Sequence, residues 1–201
     1  KKRLVSRLFF GNTQIVVVSQ QVAEEGLFQV IDWFLRDAES RETVHIVVSQ
    51  QETAKEMFRT VGIDNMIIAY EMNEILETDG ELSASTLGTR LYNVFNALKR
   101  EGTSSFVLPA FRAVPNNKEL TAEVNGVAFF KGDKMLGFLT PDETKYLLFT
   151  INKVYGGLLT VSSQNGEMED TALEISTNTT KRSYSYQGGN LKVIIQIKAE
   201  V

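Results

Sequence analysis

No cysteine occurs among the 201 residues, which excludes disulfides, thiolate metal sites and a cysteine nucleophile in this chain. The redox compartment stays open, because exported bacterial domains also do without disulfides. Basic charge is in deficit as well: 21 Lys and Arg stand against 25 Asp and Glu, a formal charge of −4. That balance, with a pI of about 5.2, leaves no cationic surplus for nucleic acid or a polybasic membrane contact. Long apolar runs are missing too. Residues 15–18 and 66–70 are among the longest, whereas a membrane-spanning helix needs roughly 20 apolar residues. Lys1, Lys2 and Arg3 carry the charge of a signal-peptide start, but no apolar core with a small-residue cleavage site follows. There is no initiator Met, and residues 191–201 still read as strand where the chain stops, so a piece of a longer protein is expected.

What is present describes an ordinary globular chain of one or two compact domains, with 43% hydrophobic and 23% charged residues. Residues 13–19 and 43–49 are short β-branched runs suited to strands buried on both faces. Between them Val22, Val30, Ile31, Phe34 and Leu35 fall at helical spacing over residues 21–36, with Glu24 and Glu25 near the start and Gly26 as a weak point. Residues 52–59 give a further short helix. Strand, helix, strand, helix predicts a parallel β-α-β unit. The stretch 64–81 holds six acidic residues and no basic one, with Met72, Ile75 and Leu76 on one helix face. Leu87, Leu91, Val94, Phe95 and Leu98 mark the most regular helix, stopped by Gly102.

A strand over residues 106–108 is expected to end at Pro109, and the polar residues 115–119 read as a linker. Beyond them lie two strands, 122–130 and 135–139, joined by the turn 131–134. Thr140, Pro141, Asp142 and Glu143 form a helix start, and that helix runs to about Asn152. Gly156 and Gly157 break it before a strand at 158–162; residues 163–171 read as a second linker, followed by strands in 173–176 and 181–201. The pattern predicts an α+β, multi-domain chain. It consists of an N-terminal mixed α/β domain (1–115), a small hairpin-plus-helix domain (119–165) and a partial C-terminal antiparallel β segment (171–201).

Catalytic and cofactor motifs are not found. No G-x-S-x-G elbow, G-x-G-x-x-G or Walker-type loop occurs, and the acidic stretch lacks calcium-loop spacing. No catalytic, cofactor or metal residue is therefore assigned. His45, the one histidine, reads as a packed strand residue. Charges alternate from Asp32 to Glu42, and Trp33, Arg36, Asp37, Glu39 and Arg41 there form either a structural ion-pair cluster or a partner interface. The apolar hairpin residues Phe129, Phe130 and Phe138 join them as candidates. Two alternatives stay open: a small α/β enzyme with a site near Asp37 and Arg41, or a soluble ligand-binding sensor using a groove between the first two domains.

Three segments, residues 8–18 (LFFGNTQIVVV), the Leu35-Arg36-Asp37 core with the Glu and Arg that follow it, and residues 126–137 (GVAFFKGDKMLG), together resemble the Ger(x)C family, the C-subunit lipoproteins of bacterial spore germinant receptors. The alternation over 173–201 is similar to the entry into that family's third domain. Asn12 stands where members often have His, and Ala38 where they often have Pro. The resemblance implies a non-enzymatic subunit working beside two membrane-associated subunits, A and B, through which nutrients trigger germination. It also implies a lipid on a cysteine upstream of Lys1 and a place on the outer face of the spore inner membrane.

Overall fold

The computed structural model describes residues 10–37, 39–62, 67–82, 84–100, 104–161 and 171–201. The two apolar runs pair as parallel strands, β1 (Ile15–Ser19) and β2 (His45–Ser49), with Val17 opposite Val47. Successive strand residues point to opposite faces, so each strand feeds two cores. Val16, Val18, Ile46 and Val48 enter one of them with α1 (Gln20–Glu25), α2 (Phe28–Arg36) and α5 (Leu91–Lys99). Ile15 and Val47 enter the other with α3 (Ala54–Met57) and α4 (Ile68–Leu82). Met72 and Leu76 are buried there and Ile75 packs beside them, the helix face that the acidic stretch predicts.

The single helix expected over 21–36 is two. Gly26 has φ +138°, and a Cβ on it would lie 2.7 Å from Asp133 Oδ2. Leu27 N–H donates instead to Asp133 O at 2.8 Å, which stitches the break to the turn of a distant hairpin. The helix expected from Leu87 begins only at Leu91, and Leu87 packs with a third cluster.

Three longer strands complete the sheet: β3 (Ser105–Asn116), β4 (Glu119–Lys131) and β5 (Lys134–Leu139). The order is β1-β2-β3-β4-β5, with β1 to β3 parallel and the last two pairings antiparallel. Two expectations change here. Residues 115–119 are not a linker but the end of a hairpin, in which Asn116 pairs with Glu119. β4 and β5 therefore belong to the same sheet as β1, and the boundary expected at 115 falls inside it. Nor does the strand stop at Pro109. It runs through, because Pro109 sits where the ladder to β4 is irregular: Pro109 pairs with Val127 and Phe111 with Val124, so Asn125 and Gly126 together oppose Ala110. An interior proline is tolerated at such a bulge.

α6 (Pro141–Ile151) starts as its sequence predicts. Thr140 Oγ1 accepts from Glu143 N–H at 3.3 Å and Glu143 accepts from Thr140 N–H at 2.9 Å, a reciprocal capping box. Two short antiparallel pairs follow, β6 (Leu158–Val161) with β7 (Thr171–Glu174), and β8 (Thr177–Gln187) with β9 (Asn190–Glu200). The linker expected at 163–171 lies almost wholly outside the described residues.

Gly126 has φ +74°, and a Cβ there would lie 2.0 Å from Leu139 O, a backbone atom. Gly132 has φ +61° with open space around it. Urea unfolding is expected to show Gly126→Ala losing about 3 kcal/mol or more and Gly132→Ala only about 1–2 kcal/mol. Equal losses would mean that the contact with Leu139 contributes nothing.

Candidate functional site

The charged segment after the first helices resolves into separate parts. Trp33 and Phe28 on α2 are each 51% exposed. Trp33 meets Phe10 edge-on at 5.5 Å and Phe34 at 4.8 Å, so a half-open aromatic group lies where the described chain begins. Arg36 Nε donates to Asp32 at 2.7 Å one turn back on the same helix, and this bond raises the Arg36 pKa. Asp37 is a loop pin: its N–H donates to Trp33 O, closing α2, and its carboxylate accepts from Ser40 Oγ at 2.6 Å. Glu39 is partly buried and Arg41 exposed in the loop that follows. Phe28, Asp32, Trp33, Arg36 and Asp37 together line a shallow hollow of about 440 Å³.

The hairpin phenylalanines fall elsewhere. Phe130 is fully buried and stacks on Phe106 at 4.8 Å, and Phe138 packs partly buried against the same core. Between an interface and a structural role, these two rings take the structural one. Phe129 points to the other sheet face, partly buried near α6. The hairpin turn meets the start of α2, where Leu27 N–H donates to Asp133 O.

A cluster built on a buried histidine lies where the sequence suggests a bland residue. His45 is 4% exposed, and its Nε2 is 2.9 Å from Glu77 Oε1; Arg90 Nη2 donates to the same oxygen at 2.9 Å. A carboxylate only accepts, so Nε2 carries the hydrogen. Nδ1 is buried without a hydrogen-bond partner and lies against Gly88, where a Cβ would come within 3.6 Å of it. The local sequence hides this pairing because Glu77 is 32 residues away. One signal was available: His45 shares parity with Val47 and so faces the core that α4 covers, and a polar group there needs a partner from that helix. The cluster ties α4 to β2 and to the segment before α5. No group of three His, Cys, Asp or Glu residues placed to hold a metal occurs among the described residues.

A deeper cleft of about 490 Å³ opens between α5, α6 and the first half of β3, lined among others by Val94, Ala97, Arg100, Phe129 and Lys153. It is the counterpart of the groove expected between the hairpin-plus-helix part and the residues before it. No helix among the described residues is long and apolar enough to cross a membrane.

Fold and surface thus define a mixed α+β protein built round one five-stranded sheet, with an exposed aromatic face and an open cleft. Residues 1–113 match the model for the spore germination protein N-terminal domain, and residues 125–201 match the model described as spore germination B3/GerAC like, C-terminal. The chain belongs to this spore germination protein family. It is 22% identical over 210 residues to spore germination protein KC of Bacillus subtilis (strain 168), covering 96% of this chain and 51% of that protein. The crystal structure of the GerBC protein has the same fold, with a TM-score of 0.60 at 18% identity over 93% of this chain and 51% of that one. The chain spans about half the length of both. The two family models meet across the β3–β4 hairpin.

The hydrogen bond from His45 and the positive charge of Arg90 hold the Glu77 carboxyl below its usual range. A folded-state pKa below the unfolded one adds stability above the unfolded value, and this is lost as pH falls through the folded value. Glu77→Gln is therefore expected to cost stability at about pH 7, and the gap to the parent should narrow toward about pH 3. Urea midpoints at the two pH values test this; a gap that is constant or grows on acidification would exclude the cluster as its source.

Proposed function

We propose that this chain is the soluble body of a non-enzymatic lipoprotein subunit of a nutrient germinant receptor. It acts by association with the receptor's two membrane-associated subunits, A and B, on the outer face of the spore inner membrane. The hairpin β8–β9 opens a third unit of the same protein. The observation that carries this reading is the exposed Phe28 and Trp33 pair beside Phe10, in a chain of the spore germination family. Half-open aromatics on a rigid helix are the residue type that anchors protein interfaces, and Arg36 and Asp32 supply a polar rim.

Membrane residence comes from a lipid on a cysteine upstream of Lys1. One acyl chain binds only marginally, so a bacterial lipoprotein's several chains hold it, with protein contacts adding to them.

In the full-length protein, Trp33→Ala is expected to weaken co-purification with the A and B subunits by about 2 kcal/mol, roughly 30-fold in Kd, with the thermal midpoint nearly unchanged. Unchanged recovery would remove this face from the docking surface. The gene upstream tests the anchor: a lipobox cysteine is expected, and its replacement should release the protein from the membrane fraction and impair nutrient-triggered germination. A start without signal segment and lipobox would exclude the tether.

A further inference from the structure

The first half of β3 has an edge that β2 does not cover. The β2–β3 ladder comprises Val48 with Ala110 and Ser49 with Phe111, and starts directly after Pro109, which has no N–H to donate. On the other side, Gly132 N–H donates to Ser104 O at 2.8 Å, so the antiparallel alternation turns Ser104 and Phe106 toward β4. The N–H and C=O groups of Ser105 and Val107 then turn away from β4. Thr89 fixes that direction independently, since its Oγ1 donates to Val107 O at 3.0 Å. Thr89, Ser105 and Val107 all line the 490 Å³ cleft, so its wall includes strand-edge amides.

The rest of the lining separates by chemistry. Phe129, Leu147 and Ile151 form an apolar wall on the α6 side, and Phe106 lies on the opposite sheet face with α5, where Ala97 leaves room. Its charged residues, Arg100 and Lys153, are both exposed cations, and no Asp or Glu is among the described lining residues. The volume falls within the range of small-molecule sites, which combine apolar walls with a few polar groups. The free edge is too short for strand addition, since Pro109 ends it two residues after Val107.

We propose that this cleft binds a small carboxylate with a hydrocarbon body. The carboxylate lies at the rim made by Arg100 and Lys153, and the body lies against Phe129, Leu147 and Ile151. The amides of Ser105 and Val107 add donors on the same wall. The site does not depend on the docking face or on the lipid anchor.

The test is an amide-detected NMR titration of the full chain with 3-phenylpropionate as probe. Saturable shifts are expected at Thr89, Ala97 and Val107, with a Kd on the order of 1 mM for a ligand of this size. Its neutral amide, and the Arg100→Gln/Lys153→Gln variant with the acid, should each bind about tenfold more weakly, the usual size of a lost charged hydrogen bond. Ala97→Phe fills the cleft and should abolish binding. The proposal is overturned by non-saturable shifts, by the amide binding as tightly as the acid, or by unchanged affinity in the surface double variant. That variant alters only exposed side chains, so the test holds even if Ala97→Phe does not fold.

Discussion

The missing amide hydrogen of Pro109 organises the middle of the molecule. Without it β2 and β3 pair only beyond Pro109, and the two strands part before it. Ile46 N–H then donates to Thr89 O at 3.1 Å and Leu91 N–H to Val44 O at 3.0 Å, so the segment leading into α5 supplies what β3 does not. Buried backbone groups must find partners, and this insertion is how β2 finds them. The same insertion brings Arg90 beside His45 and Glu77, and it leaves the cleft between α5 and α6 on its far side. The helix start shifted from Leu87 to Leu91 has the same origin.

Burial on both sheet faces explains why the early strands are so apolar. Ile46, Val47 and Val48 are fully buried, and each such side chain contributes about 1.5–3 kcal/mol relative to exposure. His45 and Ser49 are the polar residues of that buried strand. A half-exposed carboxylate satisfies one nitrogen of His45 and clamps α4 to β2. The aromatic face of α2 stands outside both cores, so its exposure is not forced by packing elsewhere.

Local pattern reads local structure well in this chain. The β-branched runs, the Thr140 cap and the Lys131-to-Lys134 turn are each encoded within a few residues, and each occurs as expected. Pairings over long separations were not legible. A polar run such as 115–119 looks the same in a linker and in a hairpin end, and only the partner strand distinguishes them. Gly26 weakens a helix on paper, but its break depends on Asp133, more than a hundred residues on. Among the candidate site residues, Trp33 keeps a half-exposed place on α2. Phe130 and Phe138 were drawn inward by a hairpin whose alternation alone does not say which face is wet.

The end of α6 is joined to β8 without slack. Asn152, the left-handed cap residue, accepts from Thr180 N–H at 2.8 Å, and Thr180 Oγ1 donates to Phe149 O at 2.6 Å. One threonine thus holds both the cap and the last turn of the helix. Since Leu147, Ile151 and Lys153 belong to that same stretch, these bonds place the base of the hairpin beside the wall of the cleft.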